Sequence, residues 1–284
     1  MLGWLTNGDQ MNKLIQRILR TIWPPLDPIQ RAAPFLTGFY GSDRLQPAEV
    51  ADFTTLHWES FFFGEPSGID SILEAKKPTV IDLRCMWGSL DGKFFLLPEA
   101  ETNLRMLFVR LAAAGALQYV WALYPIDEPN TTVAIRLDIR LANIICRTVA
   151  SEFPELAGVK LAVIFSGFDD TPCIEDYDLV GGDAYSRREK IFDVSIMPWP
   201  PKSDYDRLVS RLRPDQQAII VPGGGDPWRQ DPAAFFAKAS QDGRIALVLA
   251  FLWIDRSDSG PTHAGIRNNG MAEHYGKLAG HASA

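Results

Sequence analysis

Residues 117–128 read LQYVWALYPIDE, followed by Pro129 and Asn130. A run this densely apolar, without polar–apolar alternation, is what a strand covered on both faces of a parallel sheet looks like. It ends on two adjacent carboxylates, Asp127 and Glu128. Pro129 fixes its own φ and biases Glu128 toward an extended backbone. Seven further runs of the same kind occur: FLTGFYGSD (35–43), FTTLHWES (53–60), PTVIDLRCMW (78–87), VKLAVIFSGFD (159–169), YDLVGGDAYS (177–186), QAIIVPGGGD (217–226) and IALVLAFLWID (245–255).

Helical patterns separate most of these runs. EAETNLRMLFVRLAAAG places Leu104, Leu107, Phe108 and Leu111 on one stripe, with Gly115 as the stop. TTVAIRLDIRLANIICRTVASEF carries Leu137, Leu141, Ile144, Ile145 and Val149 in the same register. SDYDRLVSRLRP opens on Ser203 and ends at Pro214, and DPAAFFAKASQDG has Asp231 as N-cap, Pro232 at the first helical position and Gly243 beyond the end. The connection over 169–176 is too short for a full helix. Eight strands with mostly helical crossovers predict an α/β fold, a single-domain (β/α)8 TIM barrel over residues 35–284. An open doubly wound sheet is the alternative. It lacks a glycine fingerprint after the first strand, and the GGG at 223–225 is not followed by the Lys-Ser/Thr of a phosphate loop. Residues 1–34 read as a short N-terminal helical extension, its amphipathic helix over 12–23 stopped by Pro24 and Pro25.

The formal net charge of −7 argues against a nucleic-acid partner. Three cysteines, Cys85, Cys146 and Cys173, make no zinc motif and no disulfide framework, though one pairing remains open. No run approaches the ~18 apolar residues of a membrane span, and the N-terminus lacks the continuous apolar core of a secretory signal. The compartment and the oligomeric state stay undetermined. Only His57 of the four histidines lies on a strand end, which disfavours a metal-dependent hydrolase, and no cofactor is implied.

Chemistry in these barrels sits at the C-terminal ends of the strands. The runs end, in order, on Tyr40 and Asp43; His57, Trp58 and Glu59; Asp82, Arg84 and Trp87; Tyr124, Asp127 and Glu128; Ser166 and Asp169; Asp183 and Tyr185; Asp226 and Trp228; Trp253 and Asp255. A ring of carboxylates and aromatics at one level is hard to explain by packing, since a buried charge is costly unless paired or used. The mixture suits a carbohydrate: aromatic faces stack on sugar rings, and carboxylates accept from hydroxyls. Glycosidic cleavage needs a protonated carboxyl beside the leaving oxygen and a second carboxylate as nucleophile or base. Glu128 is the candidate acid/base. The DEPN stretch also suits a capping loop ahead of Thr131 and Thr132.

The motif YPIDEPN resembles the Asn-Glu-Pro signature at the end of the fourth strand in clan A of the barrel glycoside hydrolases. The resemblance implies a proton-donor role for Glu128 and a sugar-hydroxyl contact for Asp127, which stands where Asn is usual. LVGGDAYS resembles the clan's sixth-strand ending (Asp183, Tyr185), LAFLWID its eighth strand with Trp253, and GIRNNGMAEHYGKLAG its closing helix. The departure is the seventh strand, IIVPGGGDPW, which lacks the clan's nucleophilic Glu. Asp226 is the nearest carboxylate there, with Glu59, Asp43 and Asp183 as other sources of a second one. The expected function is a glycoside hydrolase or transglycosylase acting on a poly- or oligosaccharide. A non-catalytic carbohydrate-binding barrel is the alternative.

Overall fold

The structure, a computed structural model, describes residues 35–39, 47–61, 67–91, 93–130, 136–167, 170–183, 208–224, 231–251 and 265–283. The predicted helix at 12–23, the first part of the one from Ser203 (203–207), and the candidate residues Tyr40, Asp43, Asp169, Tyr185, Asp226, Trp228, Trp253 and Asp255 lie outside them, and residues 208–211 of the latter helix are helical as predicted.

Each of the eight apolar runs contains one strand of a single parallel sheet: β1 (Leu36–Phe39), β2 (His57–Ser60), β3 (Thr79–Asp82), β6 (Val120–Tyr124), β7 (Lys160–Ser166), β8 (Leu179–Asp183), β9 (Gln217–Ile220) and β10 (Ile245–Ala250). Hydrogen-bonded neighbours run β1-β10-β9-β8-β7-β6-β3-β2. The two ends then meet, because the Thr37 carbonyl accepts the N–H groups of Thr55 and Leu56 at 2.9 Å. The result is a (β/α)8 barrel.

Side-chain phase divides the core. Leu56, Trp58, Val80, Ala122, Tyr124, Ile164, Leu179, Ile219, Val221 and Leu249 form one cluster drawn from seven of the eight strands, and so fill the barrel interior. The alternate positions, such as Ile81, Leu123, Val163 and Val180, pack outward against α3 (Ala100–Ala113) and α4 (Arg136–Ala150). Burying such side chains contributes roughly 1.5–3 kcal/mol each, the main stabilisation of a fold of this kind.

On α3 the stripe of Leu104, Phe108 and Leu111 is buried as its spacing implies, and Gly115 takes the left-handed conformation (φ +73°) that ends the helix. On α4 the reading is corrected: Leu137, Leu141 and Ile144 are exposed, and the buried face carries Ile139, Ala142, Asn143, Cys146 and Val149. This helix has apolar residues on two sides. The side with the small Ala142 and Cys146 lies against the sheet, and the bulkier one faces out. All three cysteines are buried free thiols.

The run 78–87 is not one strand. β3 stops at Asp82, a 3-10 turn spans Arg84–Met86, and an antiparallel hairpin follows, β4 (Trp87–Leu90) with β5 (Lys93–Leu96). Among its described residues, the short connection after β7 holds the 3-10 turn Ile174–Asp176 and no α-helix. Asp231 caps α5 (Pro232–Gln241), accepting from the Ala233 N–H at 2.9 Å.

Beyond β9, the loop is locked against the segment after β10. Asn269 Nδ2 donates to the Gly224 carbonyl at 2.7 Å. A Cβ on Gly224 would overlap Ile266 Cδ1 and stand 2.6 Å from its Cγ1. Gly224→Ala is therefore expected to cost about 1–3 kcal/mol by overpacking, read as a lower denaturation midpoint. An unchanged midpoint would mean that the loop is not held this tightly.

Candidate active site

The C-terminal ends of β3, β6, β7 and β8 bring a group of carboxyls together at the barrel mouth. Asp82 follows Val80 on the inward face of β3 and is 2% exposed. It accepts from Arg84 Nε at 2.8 Å and from the Ser60 hydroxyl at 3.1 Å. Burial raises Asp82 to about 6. Arg84 opposes the rise and the charge of Asp127 adds to it.

At the end of β6, the buried Tyr124 hydroxyl donates to Asp127 Oδ1 at 2.8 Å, and its ring meets Trp58 edge-on, centroids 4.9 Å apart. Tyr124 and Trp58 are at most 1% exposed, so they belong to the barrel interior beneath the mouth. Trp87, at the start of β4, folds back and donates from Nε1 to the Pro125 carbonyl at 2.5 Å. The hairpin thus braces the chain leading to Glu128.

Glu128 is not extended. Its φ is +39°, in the left-handed region. A non-glycine residue there costs roughly 1–3 kcal/mol and persists where its surroundings over-determine it. Here Asp127 is tied to Tyr124 on one side. On the other, Asn130 is tied to β7: its Nδ2 donates to the Ser166 carbonyl at 2.8 Å, and its Oδ1 accepts the Ser166 N–H at 3.0 Å. The preference imposed by Pro129 loses to these fixed points.

Glu128 lies close enough to Asp183, at the end of β8, for the two carboxyls to interact. Asp183 Oδ1 also accepts the Gly167 N–H at 3.3 Å. Burial first, then the hydrogen bond and charge of Glu128, push Asp183 up to about 9. A buried carboxyl facing a second one ionises reluctantly, so Asp183 is the group of this mouth that favours its protonated form.

His57 and Glu59 are not brought to this mouth. They occupy the outward phase of β2, alternate to Trp58. His57 Nε2 lies 3.0 Å from Glu59 Oε2 and 3.0 Å from the Ser71 hydroxyl of α2 (Ser67–Ala75). Glu59 packs beneath Gly68, where an added Cβ would stand 2.9 Å from its Oε1. A carboxylate at a helix N-terminus is favoured by the helix dipole. Both residues are at most 4% exposed. Glu59→Gln is expected to lose about 1–3 kcal/mol of stability through a weakened buried hydrogen bond, read as a lower denaturation midpoint. An unchanged midpoint would mean that Glu59 does not hold β2 to α2.

No protein-family model matches this chain. No curated protein matches it either. Solved structures do. A β-glucuronidase from Ruminococcus gnavus in complex with D-glucaro 1,5-lactone superposes with a TM-score of 0.50 at 8% identity, covering 86% of this chain and 49% of that one. The chain shares the (β/α)8-barrel fold of that structure. A Bacteroides uniformis β-glucuronidase 2 gives 0.49 at 9% identity over 85% of this chain and 34% of its own. A GH113 β-1,4-mannanase gives 0.47 at 10% identity over 91% of this chain and 100% of its own. The chain spans about a third to a half of the length of the two glucuronidases.

At the seventh strand, β9 is followed by Val221, Pro222, Gly223 and Gly224, and Gly223 bridges to Phe251 beyond β10. No carboxylate stands on this stretch. Two contributors were not singled out from the sequence, Ser60 and Asn130. An Asn closing a turn is a readable signal, but its partner, the main chain of β7, is 36 residues away. Among the described residues no helix is long and apolar enough to cross a membrane.

Proposed function

We propose that this chain is a glycoside hydrolase or transglycosylase acting on an oligo- or polysaccharide, with Glu128 as its general acid/base. The observation that supports the reading is the gathering of Glu128, Asp183, Asp127 and Asp82 at the ends of three barrel strands, with Asp183 held well above the usual carboxylate range by burial and by Glu128. Glu128 protonates the leaving oxygen as the C1–O bond breaks. A second carboxylate then attacks C1, or accepts a proton from the water that does so. Asp226 remains the first candidate for that second group, being the nearest acidic residue after the seventh strand. Asp183 is already in contact with Glu128. That is closer than the ~5 Å of a retaining pair or the ~6.5–9.5 Å of an inverting one. Its proposed role is therefore to hold the proton on the pair.

In this reading Asp127, Asp82 and Arg84 bind sugar hydroxyls, with Tyr124 fixing Asp127 from below. Trp87 walls the site on the β3 side. Tyr40, Asp43, Tyr185, Trp228, Trp253 and Asp255 complete the subsites as proposed from the sequence.

One observation favours a second reading, a carbohydrate-binding barrel without catalysis: the stretch 221–224 after the seventh strand offers no carboxylate. Incubation with a broad glycan panel, analysed by mass spectrometry beside calorimetric binding, separates the two. Cleavage that Glu128→Gln abolishes supports the enzyme. Binding without product after prolonged incubation supports the alternative.

A further inference from the structure

The backbone ladder between β6 and β7 is short. It pairs Ala122 with Lys160 and Leu123 with Leu161, and goes no further. The ladder between β7 and β8 runs on to the very end, pairing Ser166 with Asp183. Past Leu123 the fourth barrel strand thus leaves its neighbour, just where Glu128 must be presented. The two hydrogen bonds between the Asn130 amide and the Ser166 main chain restore the missing rung. They use both the N–H and the carbonyl of Ser166, as a paired strand residue would. A closed loop of contacts follows: Glu128 to Asp183, Asp183 across the ladder to Ser166, Ser166 to Asn130, and Asn130 through buried Pro129 back to Glu128.

We propose that Asn130 is the positioning residue of this mouth: its side-chain amide ties the turn 127–130 to β7, and so sets how closely Glu128 approaches Asp183. The amide suits this task because it offers one donor and one acceptor in one plane. Neither Ala nor a carboxylate reproduces both bonds. The clamp also holds Glu128 in its left-handed conformation, since it anchors the chain two residues beyond.

Among the described residues, the charged group that faces Asp183 besides Glu128 is Asp127, on the same turn. Gly167 presents its main-chain N–H to Asp183 from β7. A change in the Asp183 titration on altering Asn130 therefore reports how closely the turn holds its carboxyls to Asp183.

The test is Asn130→Ala, with carboxyl titration followed by 13C NMR on aspartate-labelled protein. Released from its clamp, Glu128 moves off, and the Asp183 midpoint is expected to fall by more than one pH unit. Where glycan turnover is measurable, kcat is expected to fall about 10–100-fold with KM nearly unchanged, the effect of misplacing a reacting group. A residue that only stabilises the fold would lower the melting temperature and leave the midpoint in place. An unmoved midpoint in a folded Asn130→Ala protein overturns the proposal. If that variant fails to fold, Asn130→Ser, whose shorter hydroxyl cannot make both bonds, is read the same way. The titration needs no substrate. A wild type without turnover thus counts against the proposed function, and an unmoved midpoint counts against Asn130.

Discussion

Glu128→Gln should abolish cleavage of whichever glycan the wild type cuts, lowering kcat by about 10²–10⁴-fold, the usual contribution of a positioned general acid. The substitution removes the group that passes a proton to the leaving oxygen and little else. The glutamine Oε1 can still accept from the protonated Asp183, so the contact across the mouth survives and the fold should be unaffected. Circular dichroism and the melting temperature should therefore match the wild type. Leaving-group dependence supplies a second check. Substrates with an activated phenolate leaving group need little protonation and should lose far less rate than natural glycosides. Equal loss on both would mean that Glu128 acts in binding. Turnover of a natural glycan at the wild-type rate would remove Glu128 from the chemistry.

Asp183→Asn should separate stability from activity. Burial and Glu128 raise the Asp183 pKa, so the native state keeps a proton that the unfolded chain releases near pH 4. More protons bound in the native state means that this residue's contribution to stability declines as pH rises, from about pH 4 up to the folded value. Asparagine carries no such penalty. Its Oδ1 can still accept from Gly167, and its amide can donate to Glu128. The variant should thus melt higher than the wild type, with a gap that widens between pH 5 and pH 9. Each kcal/mol gained corresponds to a few degrees in a chain of this size. Its activity should move the other way. With the shared proton gone, the alkaline limb of the rate profile shifts to lower pH. A gap that narrows as pH rises, or a melting temperature below the wild type at pH 9, would show that Asp183 is ionised in the native protein.

The barrel was legible because dense apolar runs and helical stripes are local signals, and all eight runs contain a strand of the sheet. The β4–β5 hairpin was missed although its signal was present. Asp91 and Gly92 between WGSL and KFFL form the favoured hairpin dipeptide, and Asp91 adopts φ +52°. The hidden face of α4 was misread because hydrophobic period does not say which of two apolar sides can approach a sheet closely.

Strand phase explains the candidate site. Glu59 and Asp82 both look like acidic strand ends. Asp82 shares the inward phase of Val80, whereas Glu59 is out of phase with the inward Trp58. The encounter of Glu128 with Asp183 joins residues 55 positions apart. It depends on the left-handed turn at Glu128, which runs against the local preference set by Pro129. Sequence spacing supplied the two carboxyls separately, and tertiary clamps on either side of the turn supplied their contact.

The most direct measurement is the carboxyl titration of the wild-type protein itself, followed by 13C NMR with Asp183→Asn and Glu128→Gln as assignment controls. One carboxyl of the pair should keep its proton past pH 7 and release it only in the alkaline range. If Asp183 and Glu128 both ionised below pH 5, the mouth would hold no proton to donate, and the catalytic account would be contradicted.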